Sequence, residues 1–382
     1  MSRRAAASDR APDGTGRPSQ TVLTVDLDAL AANFRTLRQH LGPNTACAGV
    51  VKADAYGLGA RRVVPALAAS GCREFFVAHL DEGLQVREVT PREASVYVLN
   101  GLLAGEEDEF RVSGLTPVLN NLEQIARWGE AARRIGRPLP AAVHVDTGMS
   151  RLGLPMAEAA TLMREPDRLA GIELRYVMSH LACAEEDTPL NEAQRRDFEI
   201  FRARFPAAKA SLANSSGIFL GAPYHFDLVR PGCALYGINP LPGRPNPVRA
   251  VARLDGKILQ IHEVDPPRTV GYGATHRVTG RTRIATVAAG YADGWPRSLS
   301  GRGSAFTGEI RLPVLGRVSM DLTTIDVTAA PHLREGDTVQ LLGDKLPVDE
   351  VAETAGTIGY EILTRLGARY HRVYTGGPTV SA

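Results

Sequence analysis

Between residues 47 and 230 the chain repeats eight short apolar runs, each followed by a polar residue. Amphipathic segments with helical spacing separate the runs. Short, almost entirely apolar runs are typical of parallel strands that are buried on both faces. Eight such units in about 200 residues predict a closed (β/α)8 barrel rather than an open doubly wound sheet. The polar residues that follow the runs are Lys52, His79, Asn100, Asn120, Asp146, His180, Asn214 and Arg230.

The pattern of the sequence changes after a stretch rich in Pro and Gly at 240–249. Beyond it, β-rich stretches follow one another, with a single short helical pattern near 349–354. We therefore predict an α/β fold, with a TIM-like barrel at 21–245 followed by a mostly antiparallel β-domain at 246–382. The first strand, at 21–26, could instead belong to the second domain.

The composition is that of a globular protein, with 44% hydrophobic residues, 23% charged residues and a formal net charge of +2. This charge gives no indication of a nucleic-acid or membrane partner. The four cysteines lie far apart without a C-x-x-C pair, which argues against a zinc knuckle and a disulfide scaffold, and we predict no metal site. Residues 1–20 contain no apolar signal segment and predict a disordered tail. We expect a cytoplasmic protein.

Lys52 is the most unusual of the strand-end residues, because a lysine normally keeps its ammonium group in water. At the end of a buried strand, desolvation lowers the pKa of the amine and makes it a nucleophile toward carbonyl groups. The alternative is an exposed lysine in a loop. The sequence around it, taken alone, leaves both interpretations open.

Two loops rich in small residues follow the seventh and eighth predicted strands, "ANSSG" at 213–217 and "VRPGCALYG" at 229–237. Loops at this place in a barrel commonly bind phosphate, since small residues let backbone N–H groups approach the anion. Ser215, Gly232 and Cys233 are the candidate contacts. A phosphate site together with a strand-end lysine that attacks aldehydes indicates pyridoxal phosphate as cofactor.

Eight segments in the same order resemble the alanine racemases, which are pyridoxal-phosphate enzymes of fold type III. The resemblance covers nearly the whole chain after the tail, so the number of ordered matches makes it specific. The segments are "VVKADAYGLG", "HVDTGMSRLG", "SHLACAE", "VRPGCALYGINP", "VGYGATH", "GYADGWPR", "GRVSMD" and "YEILTRL".

The resemblance implies a homodimer with shared active sites that interconverts L-alanine and D-alanine and supplies D-alanine for peptidoglycan. It implies a two-base mechanism. Lys52 is then the lysine that forms a Schiff base with the cofactor and acts as the base on one face of the substrate carbon. Tyr272, from the partner subunit, is the base on the other face, and its phenol needs nearby cations to lower a pKa that is ordinarily about 10.

The resemblance also implies the remaining site residues. Arg230 is expected to face the pyridine nitrogen, and because a guanidinium keeps its protons, that nitrogen stays unprotonated. His180 is expected to support Arg230. The cofactor contacts implied are Lys52, Tyr56, Arg151, His180, Asn214, Ser215, Arg230, Gly232, Cys233 and Tyr360, and the substrate contacts are Arg151, Tyr291, Met320 and Asp321.

Three positions depart from the common pattern of the family. Asp54 and Leu58 flank the lysine and are expected to alter hydrogen bonds around it rather than the chemistry. His144 stands where many members have a carbamylated lysine that orients the arginine matching Arg151. Histidine cannot form such a stable carbamate, so Arg151 needs another partner, either a bound chloride or a nearby carboxylate.

Three other functions compete with an alanine racemase. A racemase of the same fold with broader substrates differs only in its pocket, which the sequence does not size. A non-catalytic pyridoxal-phosphate carrier would resemble the barrel alone, and the β-domain with Tyr272 argues against it. A decarboxylase of related fold would protonate the ring nitrogen through a carboxylate, and Arg230 argues against that.

Overall fold

The computed structural model describes residues 19–378, which form two compact units. One unit is Asp26–Val251 with residues 376–378, and the other is Ala252–Thr375 with residues 19–25. No helix in the described part of the chain is long and apolar enough to cross a membrane.

Most of the predicted tail, residues 1–18, lies outside the described residues. Its last residue, Gln20, does not fit the prediction of a disordered tail up to that point. The Gln20 carbonyl accepts a hydrogen bond of 2.8 Å from the backbone N–H of Lys257, so the ordered β-structure begins there.

The Asp26–Val251 unit is a barrel of parallel strands, which confirms the (β/α)8 prediction. The first strand, interrupted at Ala48, pairs with the second strand and also with the last, and this double pairing closes the barrel. In chain order the strands are Ala46–Cys47 with Gly49–Val50, Glu74–Val77, Ser95–Val98, Thr116–Leu119, Leu139–His144, Ile172–Met178, Lys209–Ser211 and Leu228–Val229.

Helices precede and separate these strands, and their apolar faces pack toward the barrel. The helix Leu27–Gln39 shows why they form: the Asp26 carboxylate caps its first turn, and Leu30, Phe34 and Leu37 are buried along one face. Only short 3₁₀ turns, Gly217–Leu220 and Ala222–Tyr224, connect the last two strands. The other helices are Ala60–Ala69, Leu80–Val89, Glu107–Ser113, Leu122–Ile135, Met156–Arg164 and Pro189–Arg202, with further 3₁₀ turns at Pro166–Leu169 and Cys233–Tyr236.

The eight polar residues predicted at strand ends lie one to three positions beyond the strands. Lys52, for example, follows a strand that ends at Val50, so it begins the next turn instead of ending the strand. Because the strands are parallel, their carboxyl ends meet at one end of the barrel, where active sites of this fold lie.

The second unit is built around a long strand, Ala252–Val264, which confirms the mostly antiparallel β-domain. The strand Thr21–Asp26, whose domain the sequence left open, pairs antiparallel with it. Two further strands, Thr282–Val287 and Thr338–Leu342, pair antiparallel with it too. The remaining strands are Thr269–Val270, His276–Arg277, Ser304–Thr307, Ile310–Pro313, Thr323–Asp326 and His371–Thr375.

The prediction of a single short helix in this unit is wrong. Two helices occur, Val348–Ala355 and Gly359–Thr364, with Gly356 in the left-handed conformation at the end of the first. The second helix has six residues, too few for a helical period to show in the sequence. Short 3₁₀ turns at Tyr272–Ala274, Tyr291–Asp293 and Arg297–Leu299 complete the unit.

Candidate active site

The turn that begins at Lys52 is strained. The four residues Ala53–Tyr56 all have left-handed backbone angles, with φ between 52° and 56°. This conformation costs residues other than glycine about 1–2 kcal/mol each. Backbone hydrogen bonds within the turn, such as that from Gly57 N–H to the Ala53 carbonyl at 2.7 Å, hold it. Such strain is concentrated at functional sites, and here it lies directly after Lys52 and includes Tyr56, both of which the resemblance assigns to the cofactor.

The amine of Lys52 is easier to deprotonate than that of an exposed lysine. Burial lowers its pKa, the positive charge of Arg151 lowers it further, and the negative charge of Glu82 opposes both. A lowered pKa increases the fraction of neutral amine, which is the form that attacks a carbonyl and accepts a proton.

Arg230 is a buried cation held by neutral groups. Its side chain is 4% exposed, and its guanidinium donates to the Ser211 hydroxyl and, at 2.5 Å, to the Ser179 carbonyl. No carboxylate in residues 19–378 forms an ion pair with it. Burial lowers the pKa of Arg230 to about 9, which leaves it charged at neutral pH. His180 Nδ1 lies 3.5 Å from the guanidinium, so the two predicted neighbours are in contact.

His144 is fixed in one neutral form by Asn120. The Asn120 amide nitrogen donates to the carbonyls of Leu99 and Val118, both at 2.9 Å, so its oxygen must act as an acceptor. That oxygen lies 2.9 Å from His144 Nδ1, which therefore carries the proton and leaves Nε2 as an acceptor. Burial, followed by the charge of Arg230, lowers the pKa of His144 to about 3. The pKa of His180 is lowered in the same way, so both rings are neutral.

Arg151 lies on a loop that folds back onto the strand containing His144. The Leu154 N–H donates to the His144 carbonyl at 2.7 Å, and the Asp146 carboxylate accepts hydrogen bonds from three backbone N–H groups, those of residues 148–150. Among the described residues, no carboxylate pairs with the exposed guanidinium of Arg151. Asp146 is engaged by its own loop, and both alternatives for the partner of Arg151, a bound chloride or a carboxylate, stay predictions.

Three segments meet around the predicted phosphate contacts. The Ser215 hydroxyl accepts hydrogen bonds from the N–H groups of Gly232, at 3.0 Å, and Ala234, at 3.3 Å. A Cβ atom on Gly232 would collide with the Tyr56 hydroxyl, so glycine is required for this approach. The Tyr56 ring stacks on Tyr236 with 4.5 Å between centroids. These contacts bring Tyr56, Ser215 and Gly232 together.

The other two predicted contacts in these loops differ in their surroundings. Cys233 is buried, and its proximity, after burial itself, raises the pKa of Tyr56. The Asn214 side chain accepts from the backbone N–H of Gly217 at 2.9 Å and so shapes the turn that presents Ser215. The contact that the Asn214 side chain makes here therefore stabilises this turn.

The predicted residues of the second unit lie on its surface. Tyr272 is 70% exposed in a turn between two short strands. Hydrogen bonds from Tyr291 N–H to the Ser319 carbonyl and from Ala292 N–H to the Met320 carbonyl, at 3.0 and 2.8 Å, place the segments of Tyr291 and Met320 side by side.

Asp321 and Tyr360 are also exposed. The Asp321 carboxylate pairs with Arg369 at 2.8 Å, and Arg369 pairs in turn with the buried Asp293 at 3.0 Å. Tyr360 lies on the short helix Gly359–Thr364. Asp321 and Asp293 thus share the guanidinium of Arg369 within one unit.

Sequence reasoning missed four residues that shape the site. Asn120 stood among the strand-end residues but without a role, and its position opposite His144 follows from strand neighbours. Ser179 and Ser211 hold Arg230, and Glu82 contacts the turn after Lys52. Nothing in the sequence distinguishes these two serines from others.

Comparison with known proteins agrees with this geometry. Models of the N-terminal and C-terminal domains of alanine racemase match residues 25–240 and 251–374. The alanine racemase of Rhodospirillum rubrum is 55% identical over 93% of this chain and 96% of that protein. The catabolic alanine racemase of Mesorhizobium japonicum is 51% identical over 93% of each.

Solved structures agree as well. The alanine racemase of Bartonella henselae, described with covalently bound pyridoxal phosphate, matches with a TM-score of 0.90 and 41% identity over 94% of this chain and all of that one. The biosynthetic alanine racemase of Pseudomonas aeruginosa matches with a TM-score of 0.85 and 36% identity over 94% of this chain and 100% of that one. On the sequence, the fold and these matches, the chain belongs to the alanine racemase family.

Proposed function

We propose that this protein is a homodimeric alanine racemase that uses pyridoxal 5'-phosphate and two bases, Lys52 and the partner subunit's Tyr272. The observation that carries the proposal is the desolvated Lys52 at the mouth of a barrel that also holds the buried cation Arg230. Family membership supports the reaction and the cofactor.

The residues at the barrel mouth fit the cofactor. Lys52 offers the aldehyde of the cofactor an amine whose lowered pKa increases the neutral fraction, and Gly232, Ser215 and Tyr56 form a close-packed cradle that has no room for a further side chain. Arg230 offers a donor to an aromatic nitrogen. When bound, pyridoxal phosphate acidifies the α-hydrogen of an amino acid.

Arg230 would direct the outcome of the reaction. Its guanidinium retains its protons at neutral pH and can only donate hydrogen bonds. A nitrogen that faces it is hydrogen-bonded but not protonated. This favours return of the proton to the substrate carbon over transamination.

The two bases would act on opposite faces of that carbon. The neutral amine of Lys52 takes the proton on one face, and the Tyr272 phenol delivers a proton on the other. In the reverse direction the roles exchange, since each group is the acid in one direction and the base in the other. The high exposure of Tyr272 supports its contribution to a second subunit.

Four of the predicted exposed residues complete this proposal. Tyr360 would contact the phosphate, and Tyr291 would line the substrate entry. Met320 and Asp321 would lie near the substrate carboxylate. All lie in the unit that carries Tyr272, so the partner subunit would supply the substrate contacts among them.

A racemase with broader substrates remains the second candidate, because exposed side chains such as Tyr291 and Met320 would line the pocket. A non-catalytic carrier is disfavoured, since the C-terminal domain model matches residues 251–374. In the cell, we expect a cytoplasmic enzyme that supplies D-alanine for peptidoglycan. Growth that depends on added D-alanine after loss of the gene would test that role.

The decisive experiment combines the absorbance spectrum with racemisation in D₂O. The wild type should show the absorbance of a lysine-bound cofactor, lose the optical rotation of L-alanine and place deuterium at its α-carbon. Lys52→Ala should lose that absorbance and about 10³-fold or more of the rate. Intact rotation with L-alanine but rapid loss with L-serine or L-lysine would favour the broader racemase. Absence of cofactor absorbance in the wild type would refute the proposal.

A further inference from the structure

The strained turn Ala53–Tyr56 needs contacts from outside to hold its conformation. Left-handed angles at four successive residues persist only where the surroundings determine them. The far end of the turn is attached by Tyr56, whose ring stacks on Tyr236, so the end next to Lys52 needs a contact of its own. A group that binds the turn near Lys52 would fix both the strain and the lysine.

Glu82 provides this attachment with both oxygens of one carboxylate. Its Oε1 accepts a hydrogen bond of 2.7 Å from the N–H of Ala53, the residue directly after Lys52. Its Oε2 accepts one of 2.8 Å from the N–H of Ala78, directly after the second barrel strand. The carboxylate thereby links the turn to the end of the neighbouring strand.

The position of Glu82 suits a carboxylate. It lies in the first turn of the helix Leu80–Val89, where the helix dipole favours negative charge. The residue before that helix, His79, makes no side-chain cap, so the link to Ala78 also secures the start of the helix. Hydrogen bonds between N–H groups and a charged carboxylate are about twice as strong as neutral ones.

We propose that Glu82 is a positioning residue that holds the left-handed turn and so aims Lys52 at the reacting carbon. The inference rests on the proposed function for the role of Lys52. It requires both carboxylate oxygens to accept hydrogen bonds, and it places Glu82 outside direct contact with the substrate.

Glu82→Gln tests this requirement. Glutamine keeps the volume but has one acceptor oxygen, and its NH₂ group would face a backbone N–H, so one of the two links is lost. Glu88→Gln is the matched control, because Glu88 lies on the same helix and, within residues 19–378, forms its ion pair with the exposed Arg61, at 2.6 Å. Glu82→Ala removes both links and gives the larger effect.

The measurements are kcat and KM for L-alanine and the hydrogen exchange of peptides that cover residues 53–59. In Glu82→Gln holoenzyme we expect kcat to fall about tenfold, with KM nearly unchanged, because the lysine is misplaced while substrate contacts persist. Amide exchange in residues 53–59 should accelerate about tenfold. Glu88→Gln should change neither quantity.

The outcomes separate this inference from the proposed function. If the wild type racemises alanine and Glu82→Gln matches Glu88→Gln in kcat, the inference is wrong. Faster exchange with an unchanged kcat also overturns it, because the turn would then be loosened without moving the lysine. A wild type without racemase activity refutes the proposed function instead, and the exchange comparison still tests the link.

Discussion

The predicted site residues of the barrel and of the β-domain differ in burial and in the contacts that hold them within a single chain. In the barrel, Arg230, Tyr56 and Ser215 are buried and held by specific contacts. In the β-domain, Tyr272 and Met320 are exposed by 70% and 53%. The difference teaches that these three residues of the barrel set are held by contacts within their own fold, whereas the β-domain set is presented at a surface, as the proposed sharing of the site between subunits requires.

The largest effect should come from separating the two sets onto different chains. Lys52→Ala and Tyr272→Phe homodimers should each lose about 10²-fold or more of the racemase rate. If each site takes Lys52 from one subunit and Tyr272 from the other, a mixed dimer has one intact site. Random mixing should then restore about a quarter of the wild-type activity per dimer.

The control for this mixture pairs Lys52→Ala with a chain that carries both substitutions, which leaves no intact site. Activity is measured after the two chains are co-expressed and the mixed dimer is verified by differently tagged subunits. A verified mixed dimer that stays inactive would show that both bases belong to one chain. The exposure of the β-domain set would then not reflect a site shared between subunits.

A smaller effect should follow from crowding the barrel set. Gly232→Ala places a Cβ atom against the Tyr56 hydroxyl, and we expect a destabilisation of about 2 kcal/mol with weaker cofactor binding. Thermal unfolding and absorbance titration with the cofactor measure the two effects. Adding Tyr56→Phe should restore part of the stability, because it removes the clashing atom.

Gly42→Ala is the control, since a Cβ atom there meets no atom within 4 Å. Equal stability of Gly42→Ala and Gly232→Ala would mean that the cradle adapts at no cost. The barrel set would then be less rigid than its contacts indicate.

The smallest effect should be the loss of folding stability at acidic pH that comes from His144. Because the pKa of His144 is about 3 in the folded protein and about 6.5 when unfolded, the unfolded chain binds a proton first as the pH falls. The contribution of His144 to stability is therefore present above about pH 6.5 and is lost toward pH 3. Since its ring is partly exposed, we expect a loss of about 1 kcal/mol between about pH 6.5 and about pH 5.

His144→Gln should abolish this part of the pH dependence, while His180 contributes equally to both proteins. Urea unfolding at the two pH values gives the free energies of unfolding. The exposed His262, changed to Gln, serves as control. An identical acid sensitivity of His144→Gln and the wild type would contradict the assignment of His144 as neutral in the folded protein.

The barrel could be predicted from the sequence because strands buried on both faces are apolar along their whole length. The turn at Ala53–Tyr56 could not, since alanine and tyrosine carry no signal for left-handed angles, and the single Asp54, although aspartate tolerates them, does not predict four such residues in succession. The roles of Asn120 and Glu82, whose side chains each link separate segments, could not be predicted for another reason. Their partners are set by which strands become neighbours, and local sequence does not encode that pairing.

Closure of the barrel determines when, during synthesis of the chain, the site can form. The first strand pairs Ala46 with Leu228 and Cys47 with Val229, partners about 180 residues apart. The environment that desolvates Lys52 therefore exists only after the last strand has been synthesised. At ribosomal rates this interval is roughly 10–40 s, during which a nascent chain carries its reactive lysine in water. The burial that lowers the pKa of Lys52 is thereby confined to chains whose barrel is complete.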